Sequence, residues 1–124
     1  LKFLAEVSSV LKPSGILTFD VSLEMNSLRY QKYLNRSGKL DGIKYVQRSK
    51  FNEKTRIHFN HFVITLPDGS VVEEIHKQKI YPFEDYFKFI DGSDFYVSGC
   101  YETFSFDNAN PETERAQFIL KKKV

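Results

Sequence analysis

Three histidines, His58, His61 and His76, are the side chains of this sequence that titrate closest to neutral pH, so each could take a proton from an attacking amine or hydroxyl. His58 and His61 are three apart, and on a regular strand they point to opposite faces, where they cannot hold one metal ion. One cysteine, Cys100, and no carboxylates at ligand spacing complete the picture, so no metal site is expected. His76 is the more informative residue, because the turn Pro67-Asp68-Gly69 decides its neighbours. Pro at the first central position, Asp next and Gly at the left-handed position suit a type I turn closed by a Gly bulge. That loop puts Leu66 opposite Ser70 and Asn60 opposite His76, with Phe62 beside them; a two-residue loop would put His61 there instead. The bulged register is preferred. It makes His76 the candidate proton acceptor and His61 the second choice, against the reading of a histidine held in a sheet for structure alone.

Asp20 and Ser22 form a second candidate group. They end an apolar run two residues apart, on the same side of a strand, where they could contact a substrate or its amine. The same pair could equally cap the following turn, since Asp and Ser both bond nearby backbone. Tyr30, Tyr33, Tyr81 and Tyr86 could line an apolar pocket with polar tips, with Tyr30 and Tyr81 as the substrate contacts; alternatively they are core. Arg48, Lys50, Lys77 and Lys79 give a basic edge that either attracts an anionic group or discourages edge pairing. Cys100 has neither a helix start nor a histidine next to it in sequence, so no activated thiol is expected.

The elements that position these residues start with Leu1, Leu4, Val7 and Leu11, spaced for one face of a helix, with Phe3 and Val10 flanking the stripe. Pro13 stops that helix, Ser14-Gly15 reverses the chain, and residues 16–21 read as a strand buried on both faces. A short helix over residues 28–34 with Ser27 as its cap is expected next, then a polar loop through Ser37-Gly38-Lys39 and Asp41-Gly42. Three strand-like runs follow at 43–51, 55–66 and 70–81. Pro82 opens a helix whose Phe83, Phe87 and Ile90 share a face, and Gly92 stops it. Strands are predicted at 94–106 and 114–124, the last with Ala116, Phe118 and Leu120 facing inward and Lys121 to Lys123 as a solvated end.

Leu11-Lys12-Pro13-Ser14-Gly15 followed by an apolar strand ending in Phe19-Asp20-Val21 resembles the fifth-strand region of class I S-adenosylmethionine-dependent methyltransferases, whose usual wording is Leu-Lys-Pro-Gly-Gly. The element order is similar to the C-terminal half of that family. Glu74-Ile75-His76 ahead of a Tyr and the last helix resembles the branch with amino-sugar and glycine N-methyltransferases. The resemblance implies an α/β fold: the C-terminal part of a doubly wound, Rossmann-like sheet (residues 1–42 and 82–124) with an inserted antiparallel three-strand meander (43–81) that caps a small-molecule substrate. It further implies S-adenosylmethionine as cofactor and methylation at N or O. The sequence departs from the pattern at Ser14, in the two extra residues of Gly92-Ser93-Asp94-Phe95, and in lacking a glycine-rich nucleotide loop. Cofactor-binding residues are therefore expected upstream of residue 1, and this chain alone is expected to be inactive. A non-catalytic binding or assembly module with half the fold is the alternative, and a nucleic-acid methyltransferase a weaker one.

At 124 residues with 41% hydrophobic and 15% aromatic residues, the chain can build one core, so disorder is not expected. A net charge of +2 gives no case for nucleic acid. No run approaches the roughly 20 apolar residues of a membrane span, and no signal-peptide pattern opens the chain. A lone cysteine and no export signal imply a cytoplasmic setting, in which the Asn35-Arg36-Ser37 glycosylation pattern is accidental. A start on Leu inside a helix suggests a piece of something longer. In such a piece the strand at 16–21 should lack a neighbour and invite a homodimer or a swapped assembly through its edge.

Overall fold

The structure, a computed structural model, describes residues 2–31 and 34–124. It contains α1 (Lys2–Val10), β1 (Ile16–Ser22), α2 (Glu24–Tyr30), β2 (Arg36–Leu40), β3 (Ile43–Asn52), β4 (Ile57–Thr65), β5 (Val71–Lys79), α3 (Phe83–Asp91), β6 (Phe95–Glu102) and β7 (Arg115–Lys122). The chain divides into two compact units, Leu1–Asn26 with Tyr81–Val124, and Ser27–Ile80. Residues 27–42, expected with the core, therefore group with the meander. No helix among the described residues is long and apolar enough to cross a membrane.

The first unit is built on a three-stranded sheet of order β1-β7-β6, with β7 antiparallel to both neighbours. β7 alternates as its sequence demands: Ala116, Phe118 and Leu120 are fully buried, while Arg115 and Lys121 are exposed. Phe118 is the centre of the core. It stacks on Phe19 of β1 at 5.3 Å and meets Tyr86 and Phe87 of α3 at 5.6 and 5.5 Å. Leu4, Leu23, Ile90 and Phe95 close the cluster. The stripe of α1 is narrower than its sequence suggests, because Phe3 and Val10 are exposed. β1 is not buried on both faces. Leu17, Phe19 and Val21 pack on the core, and Thr18 and Asp20 face outward, where Gln117 and Arg115 bond them. Among the described residues β1 has β7 on one edge and no strand on the other.

Two lysines at the end of β7 are not a solvated tail. Lys122 Nζ donates to the carbonyls of Ser8 (2.6 Å) and Leu11, at the C-terminus of α1. Lys123 Nζ donates to Asp91 and Ser93 carbonyls (2.7 and 2.9 Å) at the end of α3. Each places a cation where the helix leaves carbonyls unpaired and its dipole is negative. β6 ends at Glu102, four residues short of the predicted strand, because Phe104 turns the chain at φ +64°. Phe104 and Phe106 are fully exposed as a result.

The second unit is a four-stranded antiparallel meander, β2-β3-β4-β5, one strand more than expected. The extra strand is β2, whose Arg36, Ser37 and Lys39 look like a loop. The Asp41-Gly42 turn, with φ of +51° and +80°, folds it onto β3 as a tight hairpin. The next turn behaves as the sequence predicts. Gly69 sits at φ +87°, Gly69 N–H bonds the Leu66 carbonyl at 3.0 Å, and Leu66 N–H bonds the Ser70 carbonyl at 2.8 Å. Asn60 is therefore opposite His76. The helix expected at 28–34 lies earlier, at Glu24–Tyr30, and Ser27 is inside it and not a cap. Leu23, 1% exposed, anchors the entry to this helix, and the Ser27 hydroxyl is engaged elsewhere.

Truncating Phe118 removes the ring on which both the sheet and α3 close. Phe118→Ala is expected to lower unfolding stability by about 3–5 kcal/mol, measured as a fall in the urea midpoint at unchanged slope.

Candidate functional site

Antiparallel partners share a face, so the register of the meander sorts its side chains without ambiguity. Ser49, Asn60 and His76 lie in one cross-strand row, with Gln47, Phe62 and Glu74 in the row on one side of it and Phe51, His58 and Gln78 in the row on the other. From these rows Gln47, Asn60, Phe62, Glu74, His76 and Gln78, together with Leu34 and Ile64, line an open groove of about 590 Å³. The groove has an oriented chain of polar groups. Arg36 Nε donates to Gln47 Oε1 at 2.8 Å, and Gln47 Nε2 donates to Asn60 Oδ1 at 3.3 Å. No hydrogen bond engages the amide nitrogen of Asn60 among the described residues, and Asn60 is part of the groove wall. His76 sits edge-on to Phe62, with ring centroids 5.5 Å apart, and its Nε2 bonds Glu74 Oε2 at 3.1 Å. Its side chain is 61% exposed and open to an incoming group.

Beside the groove, on the same face of the meander, is a buried chain that the sequence reading missed. The His58 ring bonds Ser27 Oγ through Nδ1 at 2.8 Å and Ser49 Oγ through Nε2 at 2.6 Å. All three residues are buried. One ring nitrogen donates and the other accepts, so neutral imidazole satisfies both hydroxyls, and burial holds the His58 pKa below its ordinary value. This chain ties α2 to β3 and β4. Beyond the start of β2, side chains continue the edge of β3: Asn35 Oδ1 accepts from Ser49 N–H at 3.1 Å, Asn35 Nδ2 donates to the Ser49 carbonyl at 3.0 Å, and Gln31 Oε1 accepts from Phe51 N–H at 3.2 Å. The Asn35 amide is consumed by this role, which leaves the glycosylation pattern without an available nitrogen. The sequence signal was the polar spacing Gln47/Ser49 and His58/Asn60, two apart on adjacent strands.

The remaining candidates do not join this groove. His61 is on the opposite face of the meander, paired with Glu73. In the first unit, Asp20 and Ser22 do point to the same side, but Arg115 bridges them: Nε and a terminal nitrogen donate to Asp20 Oδ2 at 3.0 and 2.5 Å, and the other terminal nitrogen to Ser22 Oγ at 2.5 Å. That is an ion-paired strand end. Tyr81 packs edge-on against Tyr86 and Phe89 at 5.8 and 5.2 Å, also in the first unit. Tyr30 belongs to the second unit, with the Arg29 guanidinium 5.4 Å from its ring centroid, and Tyr33 lies outside the described residues. Neither unit by itself assembles the four tyrosines into one pocket. Among the described residues no three His, Cys, Asp or Glu side chains are grouped to hold a metal ion.

Comparison with solved structures places this fold. Over 99% of its length the chain superposes on half (50%) of an S-adenosylmethionine-dependent methyltransferase from Clostridium acetobutylicum, with a TM-score of 0.78 and 19% identity. It superposes over 98% on 49% of the CcbJ methyltransferase from Streptomyces caelestis, with a TM-score of 0.71 and 8% identity. An amino pentose methyltransferase of calicheamicin biosynthesis from Micromonospora echinaspora, solved with S-adenosylmethionine bound, aligns over 97% of this chain and 49% of its own at a TM-score of 0.53 and 12% identity. The chain thus has the fold found in S-adenosylmethionine-dependent methyltransferases and spans about half the length of the structures it matches. No protein-family model and no curated protein sequence matches it.

Two outcomes follow from the buried groups. Because His58 is depressed below 6.5 when folded, the unfolded chain binds a proton there at a pH where the folded chain does not. Stability present above about pH 6.5 is lost as pH falls through the depressed value. Urea midpoints measured from about pH 8 down to about pH 5 are expected to fall for the wild type and to fall less for His58→Gln. Cys100, half-buried opposite Phe118, has its thiol pushed from 9.0 up to about 11 by desolvation. Alkylation by iodoacetamide near neutral pH is expected to be on the order of 100-fold slower than for the urea-unfolded chain, in line with that shift in thiolate population.

Proposed function

We propose that this chain is the acceptor-side part of an S-adenosylmethionine-dependent methyltransferase that methylates an amine or hydroxyl of a small molecule. The observation that carries the reading is the pairing of that fold with a polar groove whose wall includes Asn60 beside the exposed imidazole of His76. Methyl transfer from a sulfonium leaves the protein three tasks: alignment, exclusion of water and removal of the acceptor's proton. In this reading Asn60 and Gln78 orient the acceptor by hydrogen bonds, Phe62 supplies an apolar wall, and His76 takes the proton at Nδ1, the ring nitrogen that Glu74 does not engage. Tyr30, His61 and Tyr81 have no part in this groove, nor do Asp20 and Ser22, which are held by Arg115.

The residues present do not fit the cofactor. A side chain added at Gly15 would meet Leu11, at Gly38 the Tyr45 ring and at Gly99 the Tyr101 ring, so these glycines make room for the chain's own side chains. Gly42 and Gly69 serve turns. None forms a cradle for a nucleoside, and the groups that hold the donor are assigned to the half of the fold that this chain does not supply. The same observation favours a second reading, a non-catalytic module that retains this half of the fold for binding or assembly.

Calorimetry separates the two. The complete polypeptide containing this chain is expected to bind S-adenosylmethionine saturably and to transfer its labelled methyl group to small amines or alcohols, while the 124-residue chain alone shows no binding at millimolar cofactor. Absence of binding by the complete polypeptide would favour the non-catalytic module.

A further inference from the structure

The net charge of +2 conceals a segregation. Residues 27–80 hold eleven Lys and Arg against five Asp and Glu, a net of +6, and the remaining residues hold seven against eleven, a net of −4. In the second unit the register concentrates the positive charge on the face of the meander away from the groove. Lys39, Lys44, Arg48, Lys50, Lys77 and Lys79 all project there, with Glu73 as the acidic residue among them. Lys39 is directly opposite Lys44, and Lys50 and Lys77 flank Phe59 in one row. Like charges opposed across strands destabilise a sheet. The centre of this face is apolar, with Ile57, Phe59 and Val63 half-buried and Val71 and Ile75 each 60% exposed.

A segment of the opposite charge occurs in the first unit. Residues 89–114 contain six Asp and Glu and no Lys or Arg. Within them the connection from β6 to β7 is held in shape: Glu102 N–H bonds the Asp107 carbonyl at 2.9 Å, Ala109 N–H the Cys100 carbonyl at 3.0 Å, and Thr113 Oγ1 donates to Glu102 at 3.1 Å. This ordered loop carries Phe104 and Phe106, fully exposed, and the exposed residues Asp107 and Glu112. Its backbone is already bonded in place, which lowers the ordering cost of docking, and its two aromatic rings and carboxylates match an apolar centre ringed by cations.

We propose that the basic face of the meander docks the acidic, phenylalanine-bearing β6–β7 loop of a second copy of this chain. The proposal is independent of the catalytic reading. Light scattering and sedimentation of the chain at increasing concentration test it. At low salt the chain is expected to self-associate, and at about 1 M salt, where the Debye length is about 3 Å, to dissociate to monomer. K44E/R48E/K50E is expected to abolish association, as is D107K/E112K, while a mixture of the two variants associates again, because the intact loop of the first meets the intact face of the second and the two reversed surfaces also match. F104S/F106S, at fully exposed positions, is expected to weaken association with an unchanged urea midpoint, which covers the case in which a charge-reversed sheet does not fold. A monomer at every concentration would overturn the proposal. So would self-association indifferent to salt and to all these variants, which would point to pairing through the open edge of β1, or a salt-sensitive complex with a single-stranded RNA oligonucleotide formed by a chain that stays monomeric.

Discussion

The constraint on which the candidate site depends is the register set by Pro67-Asp68-Gly69. A strand shows alternate residues to alternate faces, so a slip of one position would exchange the two surfaces of β5 entirely. With Gly69 at φ +87° the loop closes on three residues, and His76 shares a face with Asn60, Gln47 and Phe62. The other choice would have placed His76 among the lysines. One glycine conformation thus separates a polar, hydrogen-bonding face from a basic, apolar one, and both readings of function rest on that separation.

A second constraint is satisfaction of buried polar groups. Ser27, Ser49 and His58 are all withdrawn from water, and each unpaired group would cost about 1–3 kcal/mol. Mutual bonding removes that cost, and in doing so it fixes Ser27 of α2 against β3 and β4. In the first unit Arg115 does the same for the buried hydroxyl of Ser22, and Lys122 and Lys123 supply donors to the carbonyls at the ends of α1 and α3. Sheet and helices are therefore joined by directional bonds where the apolar core around Phe118 runs out.

Legibility in the sequence followed the strength of local signals. The helix stop at Pro13, the alternation of Ala116, Phe118 and Leu120, and the Gly69 turn each rest on one dominant preference, and the structure agrees with all three. β2 was missed because Arg36, Ser37 and Lys39 carry no apolar alternation, although Asp41-Gly42 is a hairpin signal in its own right. β6 was drawn too long because Phe104 and Phe106 look like strand residues, and nothing local announces a phenylalanine at positive φ. The burial of β1 was overstated, since Thr18 and Asp20 were counted into an apolar run when their partners, Gln117 and Arg115, lie almost a hundred positions away. Partners that distant, like Ser27 for His58, come only from the fold. His76 and Asn60 were legible as neighbours because a short turn joins them.

The most direct measurement of the central claim compares His76 with His61, two histidines of one sheet on opposite faces. In the complete polypeptide, with a small amine as acceptor, kcat and its pH profile are measured for His76→Gln and His61→Gln. A proton acceptor in the groove predicts a loss of about 100-fold in kcat for His76→Gln, with the acidic limb of the profile flattened, and a change within about twofold for His61→Gln. Equal losses, or a loss confined to His61→Gln, would contradict the assignment of the groove face as the acceptor side.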